Sequence, residues 1–491
     1  MTAILLEKAQ AALPYLLVVV IGFLLKRKYA PSIAHIKGPW LASVSTIWQI
    51  WHTAKGDIEY AVRREHQKHG DFVRISHNEV SCSHPDSIAA ILAPPYRKGE
   101  WYQALAVPDK YHQTPMSECD PKRHRERSSI TASSYSLSYL IKSESRVDTC
   151  IEELRTQMQT LARSNQPFAF DDWLNFVAFD VIGELTFSQR LGFVRTGKDI
   201  DNSIGSMRFL MLYQAVMGYM YWLHPLVLHS PFAGYFGLKP HAHIFETVSA
   251  AVEKRKGKAG LKNDMVSQWI SNHQKWPERM EEREILAVAG MTTIAGSETM
   301  TGALASFFYF LLKNPECMER LKGELRSAHR AGQLSPVVQH EEAKQLPYLQ
   351  ACIKESLRYF APVPFGLPRI APAEGIKLGD HFFESGTILS VNPFVIQRDR
   401  RYFGDDAEVF NPDRWMRPEA ASYEKYLITF GTGYNGCPGK QFAYAEIGKV
   451  TATLLRDFDF EFDKPDTEWE HRSHFTIAQK NWPVRIRQTE L

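Results

Sequence analysis

The 491-residue chain has few cysteines and no regular arrangement of them. Its six cysteines are Cys82, Cys119, Cys150, Cys317, Cys352 and Cys437, and no two form a Cys-x-x-Cys pair. This spacing excludes a zinc module of the usual type and a disulfide-stapled secreted scaffold. The chain also contains no Asn-x-Ser/Thr acceptor, so nothing indicates a glycosylated, secreted protein.

Excess charge, internal repeats and low-complexity segments are absent as well. The 58 Lys and Arg residues nearly balance the 55 Asp and Glu residues, which excludes a global field that attracts nucleic acid. The apolar content of 44% and the charged content of 23% exclude a disordered or collagen-like chain. Aromatic residues, in contrast, are plentiful at 12%, with 28 Phe and 11 Trp, and they suit a large apolar interior.

One long apolar run stands near the N-terminus. Residues 9–25 are uncharged, and these 17 positions reach the lower limit for a membrane-spanning helix. Lys26, Arg27 and Lys28 follow at once, and the positive-inside rule places that end in the cytosol. We therefore predict a single-pass anchor over residues 1–28. A cleaved signal peptide fits less well, because the basic cluster is on the wrong side, and a buried core helix is the plain alternative.

The rest of the chain is predicted to form one domain. Residues 29–40 are rich in Pro and Gly and predict a stiff hinge. Although about 150 residues per domain suggests three domains, no linker interrupts residues 41–491. Their pattern is mainly helical with minor β structure, including a hairpin within 71–83 and long helices over 281–313, over 347–360 and from Pro438.

The segment FGTGYNGCPGKQFA, residues 430–443, carries the strongest chemical signal. Its single cysteine, Cys437, precedes a predicted helix that has Pro438 in its first position. A thiol at a helix N-terminus is stabilised as the thiolate by the macrodipole and the free N–H groups. A buried structural cysteine is the alternative. The glycines allow backbone to approach the sulfur or a flat ligand, and an aromatic ring can shield it; these residues are Gly433, Gly439 and Phe430.

A dinucleotide-binding motif overlaps this segment. Gly431, Gly433 and Gly436 spell GxGxxG between a strand-like YLITF and a helix. A nicotinamide oxidoreductase would need further βα repeats, and only about fifty residues follow the helix. The motif alone is weak evidence for that class.

Two further groups of residues lie upstream. AGSET, residues 295–299, places Thr299 on the same helix face as Val288, Thr292 and Ala295. Glu355 and Arg358 form an i,i+3 pair that would ordinarily contribute only a few tenths of a kcal/mol, roughly 0.2–0.5, on a helix surface. Taken alone, these groups also fit a small-residue packing face and an exposed ion pair.

The spacing FxxGxxxCxG resembles the haem-binding loop of the cytochrome P450 family of haem-thiolate monooxygenases, and AGSET, ExxR and the FNPDRWM turn at 410–416 occur in that family's order. The resemblance implies a large, mainly helical domain that binds haem b with Cys437 as the axial iron ligand. It also implies electrons from NADPH through a separate flavoprotein reductase, with cytochrome b5 as a further donor. Residence in the endoplasmic reticulum membrane, with the catalytic domain in the cytosol, is expected.

The resemblance assigns roles to the upstream groups. Glu298 and Thr299 match the family's proton-delivery pair. Glu355 and Arg358, joined by Arg414, match its buried Glu-Arg-Arg triad, which is structural and not catalytic.

The sequence departs from the family at two positions that often carry an arginine for a haem propionate. These positions hold Asn435 and Ser128 here. Arg127, Arg125 or His124 are possible substitutes for the arginine expected at Ser128. Arg369, in GLPRIAP, matches a third propionate-binding position and is the strongest remaining candidate.

The overall motif style resembles fungal enzymes of specialised metabolism, including the pisatin demethylase-like group. It implies that the protein hydroxylates, epoxidises or demethylates an apolar small molecule, whereas the alternative is a haem protein of the same fold that acts as an isomerase or sensor. Segments expected to line the substrate site are 101–118, 207–233, 288–299, 361–367 and 473–478. Basic residues expected to face the reductase are Lys122, Arg123, Arg125, Arg127, Lys440 and Lys449.

Overall fold

The structure is a computed structural model that describes residues 2–29, 31–107, 109, 111–230, 241–255 and 264–489. This part of the chain is mainly helical with small sheets, as predicted. The predicted substrate-lining positions 108, 110 and 231–233 lie outside the described residues.

Helices α1 to α20 form most of the structure. They are α1 Thr2–Tyr29, α2 Trp40–Val44, α3 Ile47–Lys55, α4 Ile58–His69, α5 Pro121–Thr131, α6 Leu137–Ser164, α7 Phe170–Phe187, α8 Phe193–Thr196, α9 Ser203–Met217, α10 His224–His229, α11 His241–Glu253, α12 Met265–Lys275, α13 Glu282–Lys313, α14 Pro315–Arg330, α15 His340–Lys344, α16 Pro347–Tyr359, α17 Pro393–Ile396, α18 Arg400–Phe403, α19 Ala420–Glu424 and α20 Lys440–Asp457. The long helices predicted near 281–313 and 347–360 are confirmed as α13 and α16.

Ten short strands complete the fold. They are β1 Phe72–Ser76, β2 Glu79–Cys82, β3 Leu367–Ile370, β4 Ile376–Leu378, β5 His381–Phe383, β6 Ile388–Val391, β7 Phe458–Phe462, β8 Glu470–His474, β9 Thr476–Lys480 and β10 Val484–Gln488. The predicted hairpin is β1–β2, and it opens a four-stranded sheet of order β1-β2-β6-β3 in which β2 and β6 run parallel. The other sheets are antiparallel pairs, β7 with β10, β4 with β5, and β8 with β9.

Helix α13 runs through the main core and positions the site. A capping box holds its N-terminus, since Glu281 and Glu284 each accept from the other's backbone N–H, and Asn314–Pro315 ends it. Most of its residues are buried, and its main packing partner is α7, which is itself buried on nearly all sides. Helices that are buried on nearly all sides belong in a large interior. Many of the buried side chains in this core are aromatic, which agrees with the aromatic-rich composition of the chain.

The predicted N-terminal helix is present as α1, with Lys26, Arg27 and Lys28 in its last turn. Among the described residues, however, none of the helices has both the length and the apolarity needed to cross a membrane. The helix prediction is therefore confirmed, whereas the transmembrane prediction is not.

Candidate active site

The cysteine loop, residues 430–439, lies between Phe430 and the start of α20. The helix begins at Lys440 with Gly439 as its N-cap, so the prediction that Pro438 is the first helical residue was wrong by two positions. Cys437 still lies just before the helix, and its N–H donates to the Phe430 carbonyl at 2.8 Å. Burial raises the pKa of the Cys437 thiol, while the N–H groups of Gly439 and Lys440 act in the opposite direction. The helix terminus alone therefore does not make this thiol acidic, because removal from water outweighs two N–H groups.

Two glycines shape the loop in different ways. Gly433 has a φ of 62°, and a Cβ there would lie 2.4 Å from Cα of Ala93, so neither the backbone conformation nor the packing admits a side chain. Gly439 has an ordinary φ, but its Cβ would stand 3.7 Å from Cys437 Sγ. Gly433 thus lets the loop pack on the segment before it, and Gly439 keeps one side of the sulfur clear. Phe430 packs against the Tyr444 ring.

Cys437 lies near one face of α13. The Cys437 side chain is accessible to solvent. The protein atoms that surround it on the other sides nevertheless raise the pKa of its thiol. Ala295 is also exposed in the middle of the otherwise buried helix α13, and Thr299, one turn further, is half-buried. The Tyr135 hydroxyl lies 2.6 Å from Thr292 Oγ1. Burial is the main cause of the raised pKa of Tyr135, and the nearby Cys437 raises it further. One face of α13 and the cysteine therefore border the same interior region. We call this face, which carries Ala295 and Thr299, the open face of α13.

Glu298 and Thr299 have different surroundings on α13. The Thr299 hydroxyl donates to the Ala295 carbonyl at 2.7 Å, which places the oxygen on the open face. Glu298 is only 4% exposed, and its Oε1 has no hydrogen-bond partner in the described part of the chain. Burial raises the pKa of Glu298 to about 7, although Arg208 lowers it in part. A carboxyl group with a pKa near neutrality can both accept and release a proton.

The predicted triad comes together in the interior. Arg358 donates to both Glu355 oxygens at 2.7 and 2.9 Å, and Arg414 Nε lies 3.1 and 3.2 Å from them. Trp415 Nε1 and the Asn411 N–H also donate to the carboxylate, at 2.9 and 2.8 Å. Burial alone would raise the pKa of Glu355, but the two guanidiniums and these donors hold it below its usual value.

The triad connects to the cysteine loop through one glutamine. The Gln397 amide donates to the carbonyls of Leu357 and Arg358, at 3.0 Å each, and its oxygen accepts from the Thr429 hydroxyl at 3.0 Å. Thr429 is the residue before the loop. This chain of contacts supports the expectation that the triad is structural.

The predicted propionate-binding residues do not all remain available. Arg127 is ion-paired with Glu118 and Glu284, so its charge is already neutralised. His124 is buried, with Nδ1 2.8 Å from the Pro115 carbonyl, and burial lowers its pKa to about 4, so it is a neutral ring. Asn435 contributes an amide whose oxygen and nitrogen are buried without partners among the described residues.

Arg369 is buried beside a second cation that the sequence analysis missed. Lys98 is 4% exposed, and it forms a backbone bridge with Arg369, which is 3% exposed. The Tyr102 hydroxyl lies 3.4 Å from the Arg369 guanidinium. Lys98 lies in an irregular segment and belongs to no recognisable sequence motif. Its pairing with Arg369 is therefore visible only in the tertiary structure.

The predicted substrate-lining segments converge on an apolar cluster. Trp101 packs against Phe365 and Phe475, with ring centroids 5.0 and 5.2 Å apart, and its indole donates to the Ala215 carbonyl. Met291 of α13 borders the same cluster. All five predicted segments therefore contribute a residue to it.

The predicted basic surface is present in part. Lys122, Arg123 and Arg125 of α5 and Lys440 of α20 are exposed. The Tyr434 hydroxyl donates to the Pro121 carbonyl and so joins α5 to the cysteine loop. Lys449 does not belong to this surface, because it is 1% exposed and lies 2.7 Å from both Glu144 and Asp148.

The nucleotide-binding alternative does not fit the fold. In the described structure YLITF forms turns instead of a strand, and α20 leads into β7, which pairs antiparallel with β10. A dinucleotide site requires a parallel βαβ unit around the glycine motif. The GTGYNG segment therefore does not bind a nicotinamide nucleotide in the predicted way.

Comparison with known proteins decides between the remaining readings. A statistical model of the family named Cytochrome P450 matches residues 38–485. The chain belongs to the cytochrome P450 family. It is 30% identical to cytochrome P450 monooxygenase cicH of Emericella nidulans, over 93% of this chain and 94% of that protein. A cytochrome P450 monooxygenase of Aspergillus terreus is 33% identical over 87% of this chain and 90% of its own length. Cytochrome P450 monooxygenase gsfF of Penicillium aethiopicum is 30% identical over 92% and 93%.

The cofactor of a cytochrome P450 is haem, and the residues present fit it. Cys437 is an accessible thiol beside the open face of α13, as an axial ligand must be. The buried cations Lys98 and Arg369 lie on segments that flank the same region, where the carboxylates of haem would balance their charge. The unpartnered Asn435 amide would offer a neutral hydrogen-bond donor there. This cytochrome P450 is a monooxygenase that uses haem and a separate redox partner.

Proposed function

We propose that the protein is a tailoring monooxygenase of fungal specialised metabolism that oxidises an apolar small molecule, by hydroxylation, epoxidation or demethylation. The single observation that carries the proposal is the accessible thiol of Cys437 beside the open face of α13. The Trp101 cluster on the neighbouring segments gives that region an apolar, aromatic wall. Such a wall favours a substrate with little charge.

Haem bound at Cys437 supplies the activation of dioxygen. In the chain itself, Gly439 leaves the Cys437 sulfur unobstructed. The triad stabilises the cysteine loop through Gln397 and Thr429. Thr299 keeps a hydroxyl on the open face, and Glu298, with a pKa near 7, holds and releases protons next to it. The intact pair favours oxygenase activity over an isomerase or sensor.

Replacing Cys437 with Ala tests the ligand assignment. We expect the variant to lose the red-shifted Soret band of the reduced carbonyl complex, because that band requires a thiolate ligand. The control is Cys317→Ala, a half-buried cysteine on α14 that should leave the spectrum unchanged. Retention of the band in Cys437→Ala would disprove the assignment.

Replacing Thr299 with Val tests the proton-delivery pair. We expect product formation per NADPH consumed to fall by about tenfold or more, since proton relays contribute roughly 10²–10⁴-fold to rates. Glu298→Gln should act in the same direction, while both variants keep the thiolate spectrum.

Thr301 provides the matched control for this test. Its hydroxyl also bonds four residues back, to the Ser297 carbonyl at 3.0 Å, but it is buried away from the open face. Thr301→Val should therefore keep the coupling of the wild type. Equal losses in both threonine variants would show that the hydroxyl acts only through helix stability.

We further propose that the protein resides on the endoplasmic reticulum membrane with its catalytic domain in the cytosol. The support is a group of large apolar side chains exposed on neighbouring segments, namely Trp40, Ile47, Trp51, Trp222 and Leu226. Thr53 and Tyr219, whose hydroxyls are 3.5 Å apart, hold two of these segments together. A fluorescent fusion that stays diffuse in the cytosol would contradict this localisation.

The electron donor in this proposal is an NADPH-dependent flavoprotein reductase, assisted by cytochrome b5. The exposed residues Lys122, Arg123, Arg125 and Lys440 flank the cysteine loop and complement an acidic partner. Turnover driven by the reductase should therefore decrease as ionic strength rises, because salt screens exposed charges. Turnover that ignores salt would argue against docking at this surface.

A further inference from the structure

Lys98 and Arg369 are two buried cations side by side. The backbone brings them together, since the Gly99 N–H donates to the Pro368 carbonyl at 3.2 Å and the Ile370 N–H to the Arg97 carbonyl at 2.9 Å. Like charges at paired positions of neighbouring strands destabilise the pairing, and burial adds to that cost. The arrangement therefore needs a negative charge nearby.

The hydrogen bonds of Lys98 leave one N–H of the ammonium group unused. Nζ lies 2.6 Å from the Pro115 carbonyl and 3.0 Å from the Met116 carbonyl. His124 Nδ1 lies 3.4 Å away, but it is itself 2.8 Å from the Pro115 carbonyl and so carries a proton that it donates there. The third N–H of Lys98 thus has no acceptor among the described residues.

The Arg369 guanidinium also has a hydrogen-bond donor that is not used among the described residues. One of its terminal nitrogens donates to the Pro368 carbonyl at 2.9 Å and lies 3.4 Å from the Tyr102 hydroxyl, while Nε has no partner in the described residues. Neither cation has a carboxylate within ion-pair distance in the described structure. The nearby Glu118 already accepts from Arg127 at 3.3 Å and from the Asp120 N–H at 3.0 Å.

We propose that Lys98 and Arg369, with the Tyr102 hydroxyl, form a carboxylate-binding pocket for a haem propionate, in place of the arginines that the family often has at positions 128 and 435. Lys98 borders α5 through His124, and α5 is bonded to the cysteine loop by Tyr434. The pocket therefore lies beside the segments that frame Cys437. The inference rests on haem binding at Cys437.

The charge state of Lys98 agrees with this role. Burial and the neighbouring Arg369 lower the pKa of Lys98 to about 7, so the pocket does not hold its full positive charge by itself. A carboxylate between the two cations would favour the charged form of Lys98. Charge-assisted hydrogen bonds of this kind are about twice as strong as neutral ones.

Replacing Lys98 with Met tests the pocket on the full-length holoenzyme. We expect transfer of haem from the ferric protein to excess apomyoglobin to be about tenfold faster than in the wild type, the effect of losing one charge-assisted bond. We also expect the propionate-bending band of the resonance Raman spectrum to shift. Tyr102→Phe, which removes one hydroxyl and keeps the ring, should shift the same band and accelerate transfer a few-fold.

Lys322→Met is the matched control. Lys322 is equally buried, at 3% exposure, but it is already paired with Asp459. This variant should lose thermal stability without a change in the Raman band. If Lys98→Met does not fold, the Tyr102→Phe result decides.

Wild-type transfer rates and an unchanged Raman band in both Lys98→Met and Tyr102→Phe would overturn the proposal. Absence of a thiolate-type carbonyl spectrum from the wild type would instead overturn haem binding at Cys437. The two failures are therefore distinguishable.

Discussion

The protein has two buried clusters of charge that differ in one respect. Glu355, Arg358 and Arg414 are completely buried, and the carboxylate lies between the two guanidiniums. Lys98 and Arg369 are almost as deeply buried, yet no carboxylate of the described residues pairs with them. The first cluster is complete as a part of the fold, whereas the second is incomplete until a ligand supplies an anion.

The difference separates a structural role from a binding role. Burying an ion pair is tolerated when its hydrogen bonds are satisfied, and removing one partner leaves a costly charge behind. A buried cation without a partner carries that cost in the folded protein, so binding an anion recovers it. Variants of the first cluster should therefore affect folding, and variants of the second should affect cofactor retention.

The largest effect is expected for Glu355→Ala. It leaves Arg358 and Arg414 buried without their carboxylate, and we expect the free energy of unfolding to fall by about 3–5 kcal/mol. Denaturant unfolding of the purified variant, with the yield of soluble protein, measures the loss.

The neighbouring Lys354 offers a control for Glu355→Ala. It forms an exposed ion pair with Glu424 at 2.5 Å, so Lys354→Ala should cost less than about 1 kcal/mol. If Glu355→Ala costs no more than Lys354→Ala, the buried triad does not stabilise the fold and the comparison fails.

The next effect concerns haem retention. Arg369→Ala should lower bound haem per protein by about tenfold, because it removes a charged donor from the pocket. Asn435→Ala should lower it only about two- to threefold, because the amide brings no charge. The pyridine haemochrome content of both variants measures this.

Two outcomes would contradict the Arg369 prediction. Equal loss in the two variants, or greater loss from Asn435→Ala, would show that charge does not anchor the propionates. A large decrease in the unfolding free energy of Arg369→Ala would place it with the triad and remove the distinction between the clusters.

The smallest effect involves a buried carboxyl group, Glu446, whose Oε1 has no hydrogen-bond partner among the described residues. Glu446 of α20 borders a small cavity lined by apolar side chains such as Leu140, Val147 and Phe442, and burial raises its pKa to about 8 from 4.5. Between these values unfolding releases a proton, so stability falls as pH rises from about 4.5 to 8. Lys449 and Glu144 face the same cavity but are paired with each other.

Glu446→Gln should remove this pH dependence. We expect its melting temperature to decline less than that of the wild type between pH 5 and pH 8, by a few degrees. Thermal melts at several pH values check this, with Glu341→Gln, an exposed carboxylate, as the control. Parallel curves for wild type and Glu446→Gln would mean that the carboxyl group titrates normally.

Much of the fold was predictable because its signals are local. The periodicity of residues 281–313 and the hairpin around Asn78 depend on neighbouring residues, and both are confirmed. The cysteine loop and the Glu355–Arg358 pair were also recognisable, because the cytochrome P450 family has the same residue types at the same spacing. The start of α20 was not, because Pro438 is compatible with both a first helical position and the residue before the cap.

The residues that escaped prediction depend on contacts distant in sequence. Lys98 gains its meaning only from Arg369, 271 positions away, through a backbone bridge. Arg127 and Lys449 looked available as charges, but Glu284 and Glu144 neutralise them from other helices. Charge alone does not reveal its partner, and only the tertiary structure separates a paired cation from an unpaired one.

The contact between Gly433 and Ala93 links the cysteine loop to the proposed cation pocket. It is a backbone-to-backbone joint with no room for a side chain, so it fixes the cysteine loop to the segment that leads, five residues later, to Lys98. Cys437 and the cations proposed to bind the propionates are therefore carried by segments that are in direct backbone contact. A side chain at position 433 would push these two segments apart and so disturb both ends of the proposed haem site at once.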